Sequence, residues 1–183
     1  MKHRAMIVPK ASGDVLEIGA GGGMNADYYD PLIVSSLFGI DPSQPLVNRA
    51  RSEWSKKAIE MDLRLGVAEC LPFDAGRFDT VLTTFTLCSV SDQSKALAEA
   101  KRVLKPSGRL LFLEHGLAPD ASIRKWQRRI EPVWKKIAGG CHLARSVTRA
   151  IEQADFIVDA DSKYLPKTPR FLGWIEWGSA QPA

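Results

Sequence analysis

The stretch Val15-Leu-Glu-Ile-Gly-Ala-Gly-Gly-Gly23 decides the fold class. An apolar run of strand character passes directly into Gly19, Gly21, Gly22 and Gly23. Glycines are needed where the chain turns tightly and lets a ligand approach the backbone. Asp41 follows the next apolar run, 22 residues after Gly19. A carboxylate at that distance suits the two hydroxyls of a nucleoside ribose. Further along, short apolar runs alternate with longer amphipathic ones. Strands are predicted at Val15–Ile18, Val34–Ile40, Leu63–Val67, Thr80–Thr84, Arg109–Glu114, Phe156–Ala160 and Phe171–Trp177. Helices are predicted at 24–29, 45–60, 93–104, 122–138 and 146–154, the fourth broken by Pro132 into two short pieces. Helix 93–104 is the clearest: Ala96, Leu97, Ala100, Val103 and Leu104 recur at helical spacing, and Pro106 and Gly108 end it. Alternating strands and helices imply a mostly parallel sheet covered on both faces, with the last two strands forming a terminal hairpin that makes it mixed.

The glycine pattern excludes one ligand class. In the dinucleotide fingerprint G-x-G-x-x-G the third glycine would fall on Met24. The pattern is instead E-x-G-x-G-x-G, over Glu17, Gly19, Gly21 and Gly23. The Glu17 carboxylate would repel a pyrophosphate and favour a ligand with an ammonium group and no phosphate. S-adenosylmethionine is such a ligand.

Composition bounds the remainder. The 183 residues are 45% hydrophobic and 25% charged, enough apolar material for one domain with a sizeable core. The longest uncharged runs fall short of the roughly 18 residues of a membrane span. The start, MKHRAMIVPKASGD, shows no apolar core of a signal peptide. Cys70, Cys88 and Cys141 are too few and too widely spaced for a disulfide framework, which points to a reducing, cytoplasmic setting. The net charge of +4 is unevenly placed. Residues 124–149 carry eight Lys and Arg against Glu131, or +7, so the rest of the chain is about −3.

With these motifs the chain resembles the class I S-adenosylmethionine-dependent methyltransferases, whose fold is a three-layer α/β/α, Rossmann-like arrangement around a seven-stranded sheet with one antiparallel terminal strand. The resemblance implies that Glu17, Gly19, Ala20, Gly21, Gly23 and Asn25 hold the amino acid part of S-adenosylmethionine. It also implies that Asp41 and Pro42 hold the ribose and Ala68, Glu69, Thr84 and Phe85 complete the site. Relatives usually carry an acid where this chain has Val67, so Glu69 or a backbone carbonyl takes the adenine contact. After Thr84 there is no Asn/Asp-Pro-Pro-aromatic stretch for base amines and no Pro-Cys for cytosine C5. Asp92 stands without the further acids of a cation-dependent catechol type.

The second half is more specific. Thr86-Leu-Cys-Ser-Val90, Arg102-Val-Leu-Lys-Pro-Ser-Gly108, Leu113-Glu-His-Gly116, Trp126-Gln127 and Gly139-Gly-Cys-His-Leu-Ala-Arg145 occur in this order. The series is similar to a bacterial branch (methyltransferase type 11) related to the mammalian thiol S-methyltransferases. Ser107 and Asp155 stand where glycines are usual, and the mammalian relatives' N-terminal hydrophobic anchor is not expected to carry over. The expected activity is methyl transfer to a small, rather apolar acceptor, thiol first. The alternatives are N-methylation of an amino-lipid headgroup at a membrane and a non-catalytic cofactor-binding module. His115 is the first candidate for a general base and His142 the second. Cys88, Glu114, Trp126 and Cys141 are candidate acceptor contacts. The spacing of Cys88, His115, Cys141 and His142 matches no metal motif, so no metal is expected. Residues 120–145 read as a basic amphipathic lid. Its apolar face, Ile123, Trp126, Ile130, Val133, Trp134 and Ile137, packs on the core, and its charges can meet an anionic membrane. Nucleic acid is not expected as a partner, since no exposed aromatics interleave the basic residues. Nothing in the sequence indicates the oligomeric state.

Overall fold

A computed structural model of the chain describes residues 3–56 and 59–183. The seven strands among the described residues join one sheet in the order β3-β2-β1-β4-β5-β7-β6. They are β1 Gly13–Ile18, β2 Val34–Asp41, β3 Glu60–Leu65, β4 Phe78–Thr84, β5 Leu104–His115, β6 Phe156–Tyr164 and β7 Trp174–Pro182. The first five pair in parallel, and β7 runs antiparallel to both β5 and β6. This is the expected mixed sheet with one reversed terminal strand. Among the described residues four α-helices complete it: α1 Gln44–Trp54, α2 Gln93–Val103, α3 Ala121–Ile137 and α4 Val147–Gln153.

Strand alternation builds the two cores. Leu16, Ile18, Val81, Leu110 and Phe112 face a cluster with Leu97, Ala100 and Val103 of α2 and Val147 and Ile151 of α4. Their sequence neighbours Val15, Leu82, Leu111 and Leu113 face the opposite way, onto Val47, Ala50 and Trp54 of α1 and onto Ile7 and Val8. A period of two along each central strand therefore feeds both layers, as a sheet covered on both faces demands. Asp92 caps α2 by accepting from Lys95 N at 3.1 Å.

Several expectations need correcting. The segment after the glycines is only a 3-10 turn, Ala26–Tyr28. The predicted end of helix 45–60 crosses residues 57 and 58, outside the described residues. β7 begins at Trp174, three residues later than the predicted Phe171, because Leu165 N–H reaches across the turn to Gly173 O at 2.7 Å. Helix α3 is one helix of 17 residues through Pro132. Arg128 and Pro132 are both exposed, so the Arg128 carbonyl that the missing N–H leaves without a helical partner lies on the solvent side of the helix. Asp155 has φ 58°, a left-handed backbone that explains why glycine suits that turn. The N-terminal segment is also ordered, as 3-10 turns Arg4–Met6 and Val8–Lys10 packed beneath β1.

The packing sets a clear test. Phe112 is fully buried at the sheet centre, so Phe112→Ala is expected to cost about 3–5 kcal/mol. Ile157→Ala, at a side chain 69% exposed, should stay within about 0.5 kcal/mol. Urea denaturation distinguishes the two, and equal midpoints would refute the assigned core.

Candidate functional site

The strand order reverses between β1 and β4, and the functional edge lies at their carboxyl ends. There the glycine turn closes onto β2. Gly19 N and Ala20 N both donate to Ile40 O at 2.9 Å, and Gly21 N donates to Asp41 Oδ2 at 2.9 Å. Asp41 Oδ1 accepts from Ser43 N at 2.9 Å, so two backbone donors orient this carboxylate. Gly19 has φ 73°, and a Cβ there would collide with the Thr86 side chain. Gly23 is constrained from the other side, since a Cβ would sit 3.0 Å from Ala50 Cα of α1. Gly23 is therefore a packing glycine.

A cavity of about 540 Å³ opens over this turn. Of the predicted cofactor residues, Gly19, Ala20, Gly21, Asp41, Pro42, Ala68, Glu69, Thr84 and Phe85 line it, with Val67 alongside. Ser89, Val90, Ala138 and Gly139 form its other end. Glu17, Gly23 and Asn25 are not in its lining. Glu69 also braces the rim, its Oε1 accepting from Asp92 N at 3.0 Å.

Behind the turn lies a polar network that the sequence reading missed in part. Arg4 lines the cavity, and its Nη1 donates to Asn25 Oδ1 and to Thr84 Oγ1, each at 2.6 Å. Asn25 Nδ2 donates to Glu17 Oε1 at 2.8 Å, and the Tyr29 hydroxyl donates to Glu17 Oε2 at 2.6 Å. Burial pushes the Glu17 carboxyl up to about 7, against the lowering effect of Tyr29, Arg4 and Asn25. Burial also lowers the Arg4 guanidinium, which Glu17 partly restores. The one signal for Arg4 was its place in a basic N-terminal run, a pattern that usually means only a solvated start.

Phe85 ends β4 in a left-handed conformation, φ 57°, with its N–H on Leu113 O at 2.8 Å. Such strain in a bulky residue persists where neighbours enforce it. Here the neighbours are the His115 ring, with centroids 4.7 Å apart, and the Arg4 guanidinium, 5.5 Å from the Phe85 centroid. His115 thus stacks on a wall residue and is itself outside the lining.

The other candidates take different places. Glu114 is fully buried; its carboxylate accepts from Thr86 N at 3.0 Å and Cys88 N at 3.1 Å. It anchors the loop after β4, and burial raises its carboxyl above the usual range. His142 Nδ1 meets Glu131 Oε1 at 3.0 Å while His142 N donates to Cys88 O at 2.7 Å, so it ties its loop to α3 and does not reach the cavity. Trp126 is 55% exposed on the outer side of α3. Its neighbour Gln127 holds the helix down instead, accepting from Ala118 N at 3.0 Å and donating to Gly116 O at 3.1 Å. The expected six-residue apolar face is therefore split. Ile130 and Trp134 pack inward beside Cys88, Cys141 and Leu143, whereas Trp126, Val133 and Ile137 face solvent. Phase explains the split: the turn fixed by Gln127 rotates 126, 133 and 137 away from the core.

The cavity fits S-adenosylmethionine. Its volume is that of a site for one cofactor-sized ligand. The space over Gly21 is open, for a Cβ there would have only Gly19 O near it, at 3.9 Å. Asp41 offers oriented carboxylate oxygens, and Arg4 places a cation in the same lining.

Comparison with known proteins agrees with this geometry. Residues 16–112 match the family described as a methyltransferase domain. The chain is 33% identical over 167 residues to thiol S-methyltransferase TMT1B of Rattus norvegicus, spanning 87% of this chain and 68% of that protein. Its Homo sapiens counterpart is 32% identical, over 89% and 71%. The crystal structure of YcgJ from Bacillus subtilis superposes with a TM-score of 0.75 at 25% identity, covering 90% of this chain and 73% of that one. A putative methyltransferase from Bacillus halodurans shares the fold, with a TM-score of 0.78 at 18% identity over 99% and 98%.

The Glu17 network makes a testable demand. Its folded pKa lies above the ordinary 4.5, so the folded chain holds this proton more tightly than the unfolded one. The resulting stability is full below about pH 4.5 and is lost as pH rises through about 7. Between about pH 5 and pH 8 the wild-type protein should lose roughly 2–3 kcal/mol relative to Glu17→Gln. Parallel stability curves for the two proteins would show that Glu17 does not titrate in this window.

Proposed function

The chain belongs to the S-adenosylmethionine-dependent methyltransferases, and on that premise we propose that it methylates a thiol on a small, rather apolar acceptor. When bound, S-adenosylmethionine supplies a methyl group on a sulfonium, already activated for displacement. Asp41 would accept the ribose hydroxyls, and the turn from Gly19 to Gly21 would pass beside the amino acid portion. Arg4, held by Asn25 and Thr84, would pair with its carboxylate. Ala68 and Glu69, which line the cavity, would border the adenine. The chain's remaining task is to align the acceptor and exclude water.

The observation that carries the thiol reading is the make-up of the lining. Among the described residues its ionisable side chains are Arg4, Asp41 and Glu69. Phe85, Thr86, Ser89, Val90, Ala138 and Gly139 offer no general base. His115 lies behind Phe85 and His142 is engaged with Glu131, which weighs against both as bases. A thiol of pKa about 8.5 carries a reactive thiolate fraction near neutrality without help, whereas an alcohol does not. The names of the mammalian relatives point the same way.

Release of S-adenosylhomocysteine against a panel of thiols, amines and phenols tests this. Thiols should be turned over, and the pH midpoint should move with the acceptor's own pKa. A midpoint that stays constant across thiols would mean that a protein group takes the proton.

A second reading concerns where the acceptor is met. Trp126, Val133 and Ile137 are 55%, 65% and 74% exposed and recur along one side of α3. Exposed Lys125, Arg129 and Lys136 flank them. An apolar stripe bordered by cations is suited to lie on an anionic lipid surface, although among the described residues no helix is long and apolar enough to cross a membrane. Vesicles containing phosphatidylserine should co-sediment the protein at low salt, less so at high salt, and not with Trp126→Ser/Ile137→Ser. Absence of binding at low salt removes this reading and leaves the thiol reading intact.

A further inference from the structure

Beneath the wall formed by Phe85, three side chains far apart in sequence converge. Cys88 Sγ and Cys141 Sγ are 3.6 Å apart, and Cys141 Sγ lies 3.6 Å from His115 Nδ1. All three atoms fall within 4.8 Å of one another. They come from the loop after β4, the end of β5 and the loop between α3 and α4. The sequence expectation made His115 a base and Cys88 and Cys141 acceptor contacts, but none of the three lines the cavity, and the proposed methyl transfer uses none of them. Both cysteines are buried, and Leu143, Ile130, Trp134, Ala138 and Leu172 enclose them.

These separations have a specific meaning. A tetrahedral zinc ion with Zn–S of about 2.3 Å and Zn–N of about 2.0–2.1 Å sets its ligand edges at about 3.8 Å for S···S and about 3.6 Å for S···N. Two of the three edges already match. The third closes with a modest rotation of His115, a half-buried side chain at a strand end. Charge balance agrees as well. Two thiolates, one neutral imidazole and one Zn²⁺ sum to zero, so the cluster would place no net charge in an apolar enclosure. The two thiols share one contact unequally. Contact with Cys88, aided by His115, holds Cys141 well below the usual thiol range, while the same contact and burial push Cys88 up. A metal would resolve this sharing by taking both sulfurs as thiolates.

We propose that Cys88, His115 and Cys141 form a three-ligand Zn²⁺ site that ties the loop after α3 to the carboxyl ends of β4 and β5. This proposal runs against the sequence expectation of no metal. The ligands occur singly, at separations of 27 and 26 residues, where zinc motifs usually pair them closely. The site lies outside the S-adenosylmethionine cavity but adjoins it: Ala138 and Gly139 line the cavity just before Cys141, and Ser89 lines it just after Cys88. Zinc would therefore fix the far wall of the cavity, whatever the acceptor. Three protein ligands leave a fourth position for water or another donor. No electron transfer is involved, and each thiol gives up its proton to solvent when the metal binds.

Metal content of the untagged protein, prepared with reductant and zinc in the growth medium, tests the site directly. About one zinc per chain is expected, falling below about a tenth in Cys88→Ser/Cys141→Ser. Exposed Cys70 serves as a control, since Cys70→Ser should keep its zinc. Cobalt offered to the metal-free wild-type protein should produce a thiolate-to-metal charge-transfer band and raise the melting temperature, a readout that survives if the double variant does not fold. Zinc-free protein that gives no cobalt band, or zinc retained by a folded double variant, overturns the site. Neither result bears on methyl transfer, which the acceptor panel measures separately.

Discussion

One carbonyl organises the functional edge. Ile40 O accepts both Gly19 N and Ala20 N, and the neighbouring Asp41 carboxylate takes Gly21 N. Three consecutive backbone donors of the turn are thereby spent on the end of β2. The turn can lie that close only because Gly19 carries no Cβ to meet Thr86 and accepts a positive φ. The same bonds orient Asp41 and hold the cavity floor open. Pocket, carboxylate and turn are therefore one hydrogen-bonded unit.

Buried carboxylates do the remaining positioning. Glu17 gathers Asn25 and Tyr29, Glu114 gathers the loop after β4, and Glu176 Oε2 accepts Thr148 N at 2.7 Å at the start of α4. Each sits where a loop must be held against the sheet, and each has donors within reach. An unpaired carboxylate at such depth would be strongly destabilising. Arg4 belongs to this pattern: it closes the Glu17 network from a segment that precedes the first strand.

Local rules explain which parts were legible. Strand alternation and helical spacing are short-range patterns, so β1, β2, β4 and α2 could be read from their own residues. The glycine turn and Asp41 were legible for the same reason, as their chemistry lies in one stretch from β1 to the end of β2. Helix α3 was read only in part. Its amphipathic period is plain, but the rotation that buries Gln127 and exposes Trp126 depends on Gly116 and Ala118 of the preceding loop. Pro132 misled, because on an exposed side of a helix the lost hydrogen bond leaves no buried carbonyl unpaired, and the helix continues through it.

By itself the sequence determined the α/β class, the glycine turn and the Asp41 carboxylate beside it, since each follows from neighbouring residues and a fixed period. Tertiary structure alone decided that Arg4 joins the cavity, that His115 stands behind Phe85, and that Cys88, His115 and Cys141 meet. Those contacts join segments 21 to 80 residues apart in the chain, and the register of the sheet sets their distances. No local spacing encodes that register.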